Sequence, residues 1–154
     1  MDEQISSVQE GTAERLVELK VKAVLENVPR VTRIVAQAAT QLGFEESALY
    51  QIELAVDEAC ANVVEHAYPH DERGEMEVVC FLHARHLVIR VRDWGSGFDL
   101  GAVDEPDVSA PLEDRGLGGL GLFLVRQVMD GVRFHFDPEA GNELFMVKRL
   151  DVAA

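Results

Sequence analysis

The sequence predicts an α+β fold, a two-layer α/β sandwich in which a mostly antiparallel sheet is covered by helices on one face. Two observations lead to this prediction. Apolar and polar residues alternate in five segments, as in half-buried strands, and three other segments carry apolar residues at helical spacing. Short turns join four of the strands into two pairs, which implies antiparallel neighbours, so the helices must cover one face of the sheet.

The first half of the chain predicts one strand followed by two helices. A polar tail over residues 1–13 precedes a segment that alternates in the manner of an edge strand. The first helix begins near Pro29, because proline suits the first helical turn, and it stops at Gly43. The second helix ends at Pro69, which cannot continue a helix. The predicted ranges are 14–24 for the strand, 29–42 for the first helix and 45–68 for the second.

The second half predicts two hairpins with a loop and a helix between them. Val88, Ile89 and Val91 are typical strand formers in the first hairpin. The acidic segment that follows contains two prolines and has no clear period, so we expect a mobile loop. The predicted ranges are strands at 75–83 and 86–93, the loop at 99–115, a helix at 119–130, and strands at 132–137 and 143–150.

The length of 154 residues suits a single domain, which we place at residues 14–150 with a short tail at 151–154. The two cysteines do not form a CxxC pair, and the N-terminus lacks the pattern of a signal peptide, so we expect a reduced, cytoplasmic protein. No apolar run approaches the roughly 20 residues that a membrane span needs.

The formal net charge is −14, from 28 acidic and 14 basic residues. This balance argues against direct binding to nucleic acid, because no basic cluster is present to contact the phosphates. The charge favours solubility, and it would also suit an acidic face that recognises a basic partner protein. A phosphate ligand would then need backbone N–H groups at a helix start, which bind anions without lysine or arginine.

Glu58 and Asn62 form the first of three polar boxes. A spacing of four residues places both on one face of the second helix, beside apolar positions such as Val63. A carboxylate and an amide beside a core-facing surface cost free energy unless they have partners, which a metal and a phosphate would supply. Asn62 offers a neutral oxygen to Mg²⁺, and Glu58 could orient or deprotonate a nucleophile. A solvated polar pair would give the same pattern.

The second box is Asp93-x-Gly95-x-Gly97. The alternation of the preceding strand places Asp93 on its apolar face, where an inward carboxylate can accept a hydrogen bond from the exocyclic amine of adenine. The two glycines would let the backbone pass close to a flat base. An ordinary Asp-Gly turn is the alternative interpretation.

The third box is the glycine-rich run of residues 116–121, which follows the loop and opens a helix. Glycines allow close approach of the backbone, and free N–H groups at a helix start bind phosphate. The run is neither a Walker A motif, which needs Gly-Lys-Ser/Thr, nor a dinucleotide-binding fingerprint, because no strand directly precedes it. Taken alone, it would equally fit a flexible hinge.

The three boxes together resemble those of the GHKL (Bergerat-fold) ATPases, over nearly the whole chain from Leu16 to Leu150. Within that superfamily the chain is most similar to the small anti-sigma factor serine kinases of bacterial partner-switching systems. The motifs that carry the resemblance are the Glu-x-x-x-Asn box within residues 54–68, the Asp-x-Gly-x-Gly box at 93–97 and the glycine-led helix at 118–125.

The resemblance implies a role for each box in binding ATP and Mg²⁺. Glu58 would be the general base that takes the proton of a substrate serine, and Asn62 would bind Mg²⁺. Asp93 would hold the adenine amine, with Gly95 and Gly97 shaping the base pocket. Residues 99–117 would form a lid over the nucleotide. The residues that would contact the phosphates are Arg115, Gly116, Gly118, Gly119, Leu120 and Gly121.

Two features of this chain bear on those roles. Arg115 is the single basic residue of the lid, and the glycine run after it fits two registers, Gly116-x-Gly118 or Gly119-x-Gly121. The sequence also has Gly141-Asn142 before the final predicted strand, where many relatives have Gly-Thr. The resemblance therefore leaves the reach of Arg115 and the contact of Asn142 open.

The resemblance also implies the partners. The substrate would be a serine on a small STAS-domain anti-anti-sigma protein, and the kinase would alternatively sequester a sigma factor, as a homodimer. Two alternatives remain: a switch kinase that binds and activates a phosphatase, and a nucleotide-gated binding module without phosphotransfer. Glu58 separates the last of these from a kinase, because a pure binder has no need of a base.

Overall fold

The structure is a computed structural model that describes residues 14–68, 74–96 and 119–151. The predicted N-terminal tail and the predicted lid at 99–117 lie outside the described residues. The boundaries of the domain at 14–150 therefore stay a prediction.

The described residues form five strands and three α-helices. A short 3-10 turn, Leu25–Asn27, precedes the first helix, and a π-helical turn, Val63–Ala67, continues the second. The strands are β1 (Glu14–Lys22), β2 (Glu75–His83), β3 (His86–Asp93), β4 (Gly131–Asp137) and β5 (Gly141–Arg149), and the helices are α1 (Val28–Leu42), α2 (Glu46–Asn62) and α3 (Gly119–Val128).

The strands form one antiparallel sheet in the order β1-β2-β3-β5-β4. The predicted α+β sandwich is confirmed, and β1 lies at an edge of the sheet, as its alternation predicts. The hairpin between β2 and β3 turns at Ala84 and Arg85, whose φ angles of 47° and 66° belong to the tight turns that match the twist of antiparallel strands. Sequential neighbours thus pair wherever the connection is short.

The hydrophobic core lies between the helices and one face of the sheet. Helix α2 is central, because it packs against α1 on one side and α3 on the other. Strand residues on this face alternate with residues that face away, and helical residues recur on the face toward the sheet. Fully buried side chains from both layers include Val35, Ile52, Val56, Met76, Ile89 and Met146.

The second helix differs from its prediction as one continuous helix to residue 68. The α-helix ends at Asn62, and the π-helical turn then leads to Tyr68. The Tyr68 hydroxyl donates to the carbonyl of Glu75 at 2.6 Å and accepts from the N–H of Trp94 at 3.0 Å. These bonds tie the end of the helix to β2 and β3, so the geometry of the turn depends on contacts that are distant in sequence.

The opposite face of the sheet carries a second, smaller cluster of buried residues. Its apolar members are Val79, Phe81, Val88 and Val147. Beside them lies an outer-face ion cluster, which we define as Glu77, Arg90, Arg92 and Glu143. Arg90 bonds Glu77 at 2.7 Å and Arg92 bonds Glu143 at 2.7 Å, so each arginine of β3 pairs with a carboxylate on a neighbouring strand.

Candidate active site

Glu58 and Asn62 lie one turn apart on α2, on the side that faces α3. Asn62 is 6% exposed and Glu58 is half-buried. Gly121 is their neighbour on α3: a Cβ atom at that position would lie 2.7 Å from Glu58 Oε2 and 3.6 Å from Asn62 Nδ2. Because Gly121 has no side chain, the Glu58 carboxylate can occupy the space beside it. The structure thus brings the first and third boxes together.

Asp93 closes β3 and points into the helix side of the sheet, as its alternation predicts, where it is 3% exposed. Its Oδ1 accepts the N–H of Gly95 at 2.9 Å and the side-chain amide of Asn142 at 2.8 Å. Asn142 also donates to the carbonyl of Gly95 at 2.9 Å. The carboxylate is therefore held by two neighbouring strands, β3 and β5.

One cavity connects the first two boxes. Asn62, Asp93 and Asn142 reach it from α2, β3 and β5, between apolar walls formed by Ala59, Val63, Val91, Leu122, Phe134 and Leu144. An apolar cleft with a few convergent polar groups is the usual form of a small-molecule site. The convergent polar groups suit a ligand that ends in a hydrogen-bond donor.

Both carboxylates of the site have altered pKa values. Burial, and then the negative charges of Asp57 and Glu65, raise the pKa of Glu58. Burial also raises the pKa of Asp93, although the hydrogen bonds from Asn142 and Gly95 oppose that rise. Glu58 therefore holds a proton more firmly than an ordinary glutamate does, as a general base should.

Two buried polar atoms of the site have no hydrogen-bond partner among the described residues: Asn62 Nδ2 and Asn142 Oδ1. An unpaired buried polar group costs about 1–3 kcal/mol, so each one points to a bound ligand or water. The described residues hold no group of three or more His, Cys, Asp or Glu side chains that could bind a metal ion. Mg²⁺ does not need such a cluster, since it commonly takes one or two protein oxygens together with phosphates and water.

Several predicted site residues cannot be compared with the structure. Gly97, Arg115, Gly116 and Gly118 lie outside the described residues. Gly119 and Leu120 form the first turn of α3, and only their backbone is described. Their predicted phosphate contacts stay predictions.

The sequence prediction missed the contact between Asn142 and Asp93. Asn142 precedes the predicted start of the last strand, but it lies inside β5 and directly opposite Asp93. It therefore contacts the carboxylate that the sequence assigns to the base. Extending the alternation of Leu144 and Met146 back by one step places Asn142 on the core face, and this signal would have found it.

A second missed contact joins the first two helices. The Thr32 hydroxyl of α1 donates to the carboxylate of Asp57, which precedes Glu58 on α2. Thr32 is 8% exposed, so the bond is partly shielded from water. It fixes α1 against the helix that carries the site.

Comparison with known proteins identifies the family. The model of the histidine kinase-like ATPase domain matches residues 21–148. The chain is 40% identical to the serine-protein kinase RsbW of Halalkalibacterium halodurans over 87% of this chain and 83% of that protein. It is 34% identical to the serine-protein kinases RsbW of Bacillus thuringiensis and Bacillus cereus, over 86% of this chain and 83% of each of them.

The matched range contains the Glu58 helix, the Asp93 strand end and the glycine-led helix α3. No helix in the described part of the chain is long and apolar enough to cross a membrane. With a carboxylate and an amide on α2, an inward aspartate on β3 and a match over most of its length, the chain belongs to the histidine kinase-like ATPase domain family.

Proposed function

We propose that this chain is an ATP-dependent protein-serine kinase and anti-sigma factor. It phosphorylates a STAS-type anti-anti-sigma protein and otherwise sequesters a sigma factor. The observation that carries the proposal is the placement of the Glu58 carboxylate beside Gly121 on α3, next to the cavity of Asp93. Its relatives named serine-protein kinases support the type of reaction.

Glu58 is the general base in this proposal. The oxygen of the substrate serine attacks the terminal phosphorus of ATP while its proton passes to the Glu58 carboxylate. The bond from that phosphorus to the bridging oxygen breaks, and ADP leaves. Phosphoryl transfer depends mainly on positioning and on stabilising charge, so one base and a well-shaped site are sufficient.

Asp93 and Asn62 position the nucleotide at its two ends. Asp93 accepts a hydrogen bond from the adenine amine, in a pocket shaped by Gly95 and Gly97. Asn62 would present its amide oxygen to Mg²⁺, which would neutralise charge on the phosphates. An amide oxygen is a hard ligand of the kind that Mg²⁺ takes together with phosphates and water.

The start of α3 holds the phosphates in this proposal. Backbone N–H groups of Gly119, Leu120 and Gly121 belong to the first helical turn. Such groups have no acceptor within their own helix and can bind an anion. Gly116 and Gly118 continue this cradle. In this proposal residues 99–117 form a lid over the nucleotide, and Arg115 within it is a phosphate contact.

We further propose that the kinase acts in the cytoplasm as a homodimer. The acidic net charge of −14 gives it a surface suited to basic partner proteins and unsuited to nucleic acid. In this proposal, phosphorylation of the STAS partner decides which of the two proteins the kinase holds. The two proteins thus compete for one regulator.

A transfer assay tests the proposal. The purified chain is incubated with labelled ATP and candidate STAS proteins, first with Mg²⁺ and then with a chelator. We expect label on a serine of one STAS protein, and its loss when the metal is chelated. Nucleotide binding without transfer to any STAS protein would favour a binding module. Capture of a phosphatase in place of a sigma factor, by the immobilised chain, would favour a switch kinase.

Gly121→Ala tests the position of the base separately. The added methyl would lie 2.7 Å from Glu58 Oε2, at the end of a side chain that can rotate away. The fold should therefore keep its stability, or gain up to about 1 kcal/mol from the higher helix propensity of alanine. Because a displacement of about 1 Å can cost about 10²-fold in rate, we expect transfer to fall by about that factor.

The measurement for Gly121→Ala is single-turnover transfer beside a thermal melt. Gly43→Ala is the matched control, because Gly43 ends α1 far from the cavity and an added methyl meets no atom within 4 Å. Because its φ is positive, at 99°, the control variant should lose stability and keep its rate of transfer. Unchanged transfer by Gly121→Ala would contradict the placement of Glu58 beside the reacting atoms.

A further inference from the structure

The face of the sheet that points away from the helices is closed to water along its middle. Val79 is 1% exposed, and Phe81, Val88 and Val147 are each 2% exposed. The strand pairing places Phe81 opposite Val88, and Val88 opposite Val147. These four side chains of β2, β3 and β5 therefore form one continuous patch, which we call the outer apolar strip.

The described helices do not account for this burial. The cluster that contains the strip consists of strand residues alone, and the apolar residues of α1, α2 and α3 belong to the core on the other face. Strand side chains stand roughly perpendicular to the sheet, so neighbours on the same face shield their flanks and leave their ends open. A phenylalanine that is 2% exposed in such a place needs a group on top of it. The strip therefore has a cover.

The width of the buried strip indicates the size of the cover. On the same face, Glu18 and Lys20 of the edge strand β1 and Arg133 and His135 of the edge strand β4 are exposed. Three neighbouring strands are about 10 Å wide, which is close to the width of one helix with its side chains. A second copy that laid its own five-stranded sheet on this face would also cover the edge strands. A single segment of the chain fits the strip better.

The segment before β1 is in the right place and is long enough. Glu14 begins β1 opposite Leu82, so residue 13 lies at the end of the sheet where Phe81 and Val88 are. The 13 residues of this segment reach roughly 40 Å when extended. The crossing from β1 to β5 takes three strand spacings, or about 14 Å. Residues 1–13 can therefore pass over the whole strip.

The other segments outside the described residues fit less well. Residues 69–73 and 97–118 join the described chain at the opposite end of the sheet, near Asp93. The three residues after Asp151 reach only about 10 Å, too short to turn back over the sheet as far as Phe81. The N-terminal segment is therefore the best occupant.

The sequence of this segment also suits the strip. Met1, Ile5 and Val8 are spaced by four and three residues, which is the spacing of one helix face, and the residues between them are polar. Gly11 follows, and glycine commonly ends a helix. The pattern predicts one apolar side for the strip and one polar side for water.

We propose that residues 1–13 fold back over the outer face of the sheet and cover the outer apolar strip with Met1, Ile5 and Val8. The segment is then part of the folded domain, and it keeps this face from contact with other chains. The inference does not rest on the proposed kinase activity, because Asp93 and the nucleotide cavity lie on the helix side of the sheet.

A spin label in the segment tests the contact directly. Ser7→Cys places the label on the polar side of the pattern in the full chain. Cys60 and Cys80 are buried, and burial raises the pKa of each thiol to about 12, so they should not react with the label. We expect the label to broaden the methyl NMR signals of the strip and to spare those of α1. The signals compared are Val79, Val88 and Val147 against Val31 and Val35.

A mixed sample identifies the chain that supplies the cover. Spin-labelled chains without isotope are mixed with isotope-labelled chains that carry no spin label. Broadening of the strip only in this mixture would assign the cover to a second copy and overturn the inference. Unbroadened strip signals in both samples would overturn it as well.

The double variant Ile5→Asp, Val8→Asp tests the contribution of the cover to stability. Loss of two buried apolar side chains should lower Tm by about 5 °C or more and increase the binding of a dye specific for exposed apolar surface. Leu25→Asp is the matched control, because Leu25 is 60% exposed on the 3-10 turn. It should shift Tm by less than about 2 °C and leave dye binding unchanged. A double variant that behaves like this control would contradict the inference. The spin-label experiment retains Ile5 and Val8, so it gives the answer if the double variant does not fold.

Discussion

Glu58→Ala is expected to stop phosphoryl transfer while ATP and partner proteins still bind. A positioned general base contributes about 10²–10⁴-fold to a rate, and the loss should fall on the chemical step. Glu58→Gln, which keeps the shape of the side chain beside Gly121, should lose transfer to a similar extent. Single-turnover assays with saturating ATP measure the step, and calorimetry with ADP measures binding. Full transfer by the glutamine variant would remove the role of Glu58 as the base.

The rate of the wild type should also depend on pH in a defined direction. Glu58 acts as a base only when it is unprotonated. Because burial and nearby acids raise its pKa, it becomes protonated at a higher pH than an ordinary glutamate as the solution is acidified. Transfer should therefore decline on the acid side sooner than for an unperturbed carboxylate. A rate that stays constant down to the ordinary pKa of glutamate would contradict this.

Gly95→Ala is expected to reduce stability and nucleotide affinity together. A Cβ atom at this position would lie 1.9 Å from the carbonyl oxygen of Ala67 and 2.5 Å from its carbonyl carbon. These are backbone atoms, so either the π-helical turn or the end of β3 must move. Overpacking costs about 1–3 kcal/mol, and a chain of this size loses roughly 2–4 °C in Tm for each kcal/mol. Affinity falls because a shift of the backbone at residue 95 displaces the N–H that holds Asp93.

Thermal melts and ADP titrations of the same samples check this expectation. Gly43→Ala is again the matched control, since it lowers stability through its positive φ without touching the cavity. The control should therefore melt earlier and bind ADP normally. If Gly95→Ala had the Tm and the ADP affinity of the wild type, the close approach of Gly95 to Ala67 would not matter for the site.

Much of the fold follows from periodicity alone. The alternation in β2 and β3 predicted their bounds, and the turn at Ala84 and Arg85 lies where the pattern breaks. Element ends were less predictable. The strand at 14–24 stops at Lys22, and the helix at 119–130 stops at Val128. Such ends depend on tertiary contacts; for example, the Lys148 ammonium donates to the carbonyl of Val128 at 2.5 Å.

The features of the site likewise divide into those that the sequence predicted and those that needed the structure. Spacing placed Glu58 and Asn62 on one helix face, and alternation placed Asp93 inward, since both are local properties of the sequence. The pairing of Asp93 with Asn142 is not local, because 49 positions separate them. The reason for Gly95 also needed the structure. A Cβ atom at this position would meet the carbonyl of Ala67 at the end of the π-helical turn. No sequence pattern encodes that contact.

The outer-face ion cluster has a consequence for how this protein tolerates change. Arg92 and Glu143 are opposite each other in the β3–β5 pairing, and the next step along both strands places Asp93 opposite Asn142 on the other face. A slip of one residue would turn Arg92 into the apolar core and Asp93 outward, which exposes the base-binding carboxylate and buries a charge. The ion pairs on the outer face thereby favour the β3–β5 register that places Asp93 on the helix face. Surface engineering that neutralises these charges is therefore expected to weaken nucleotide binding through the register of the two strands.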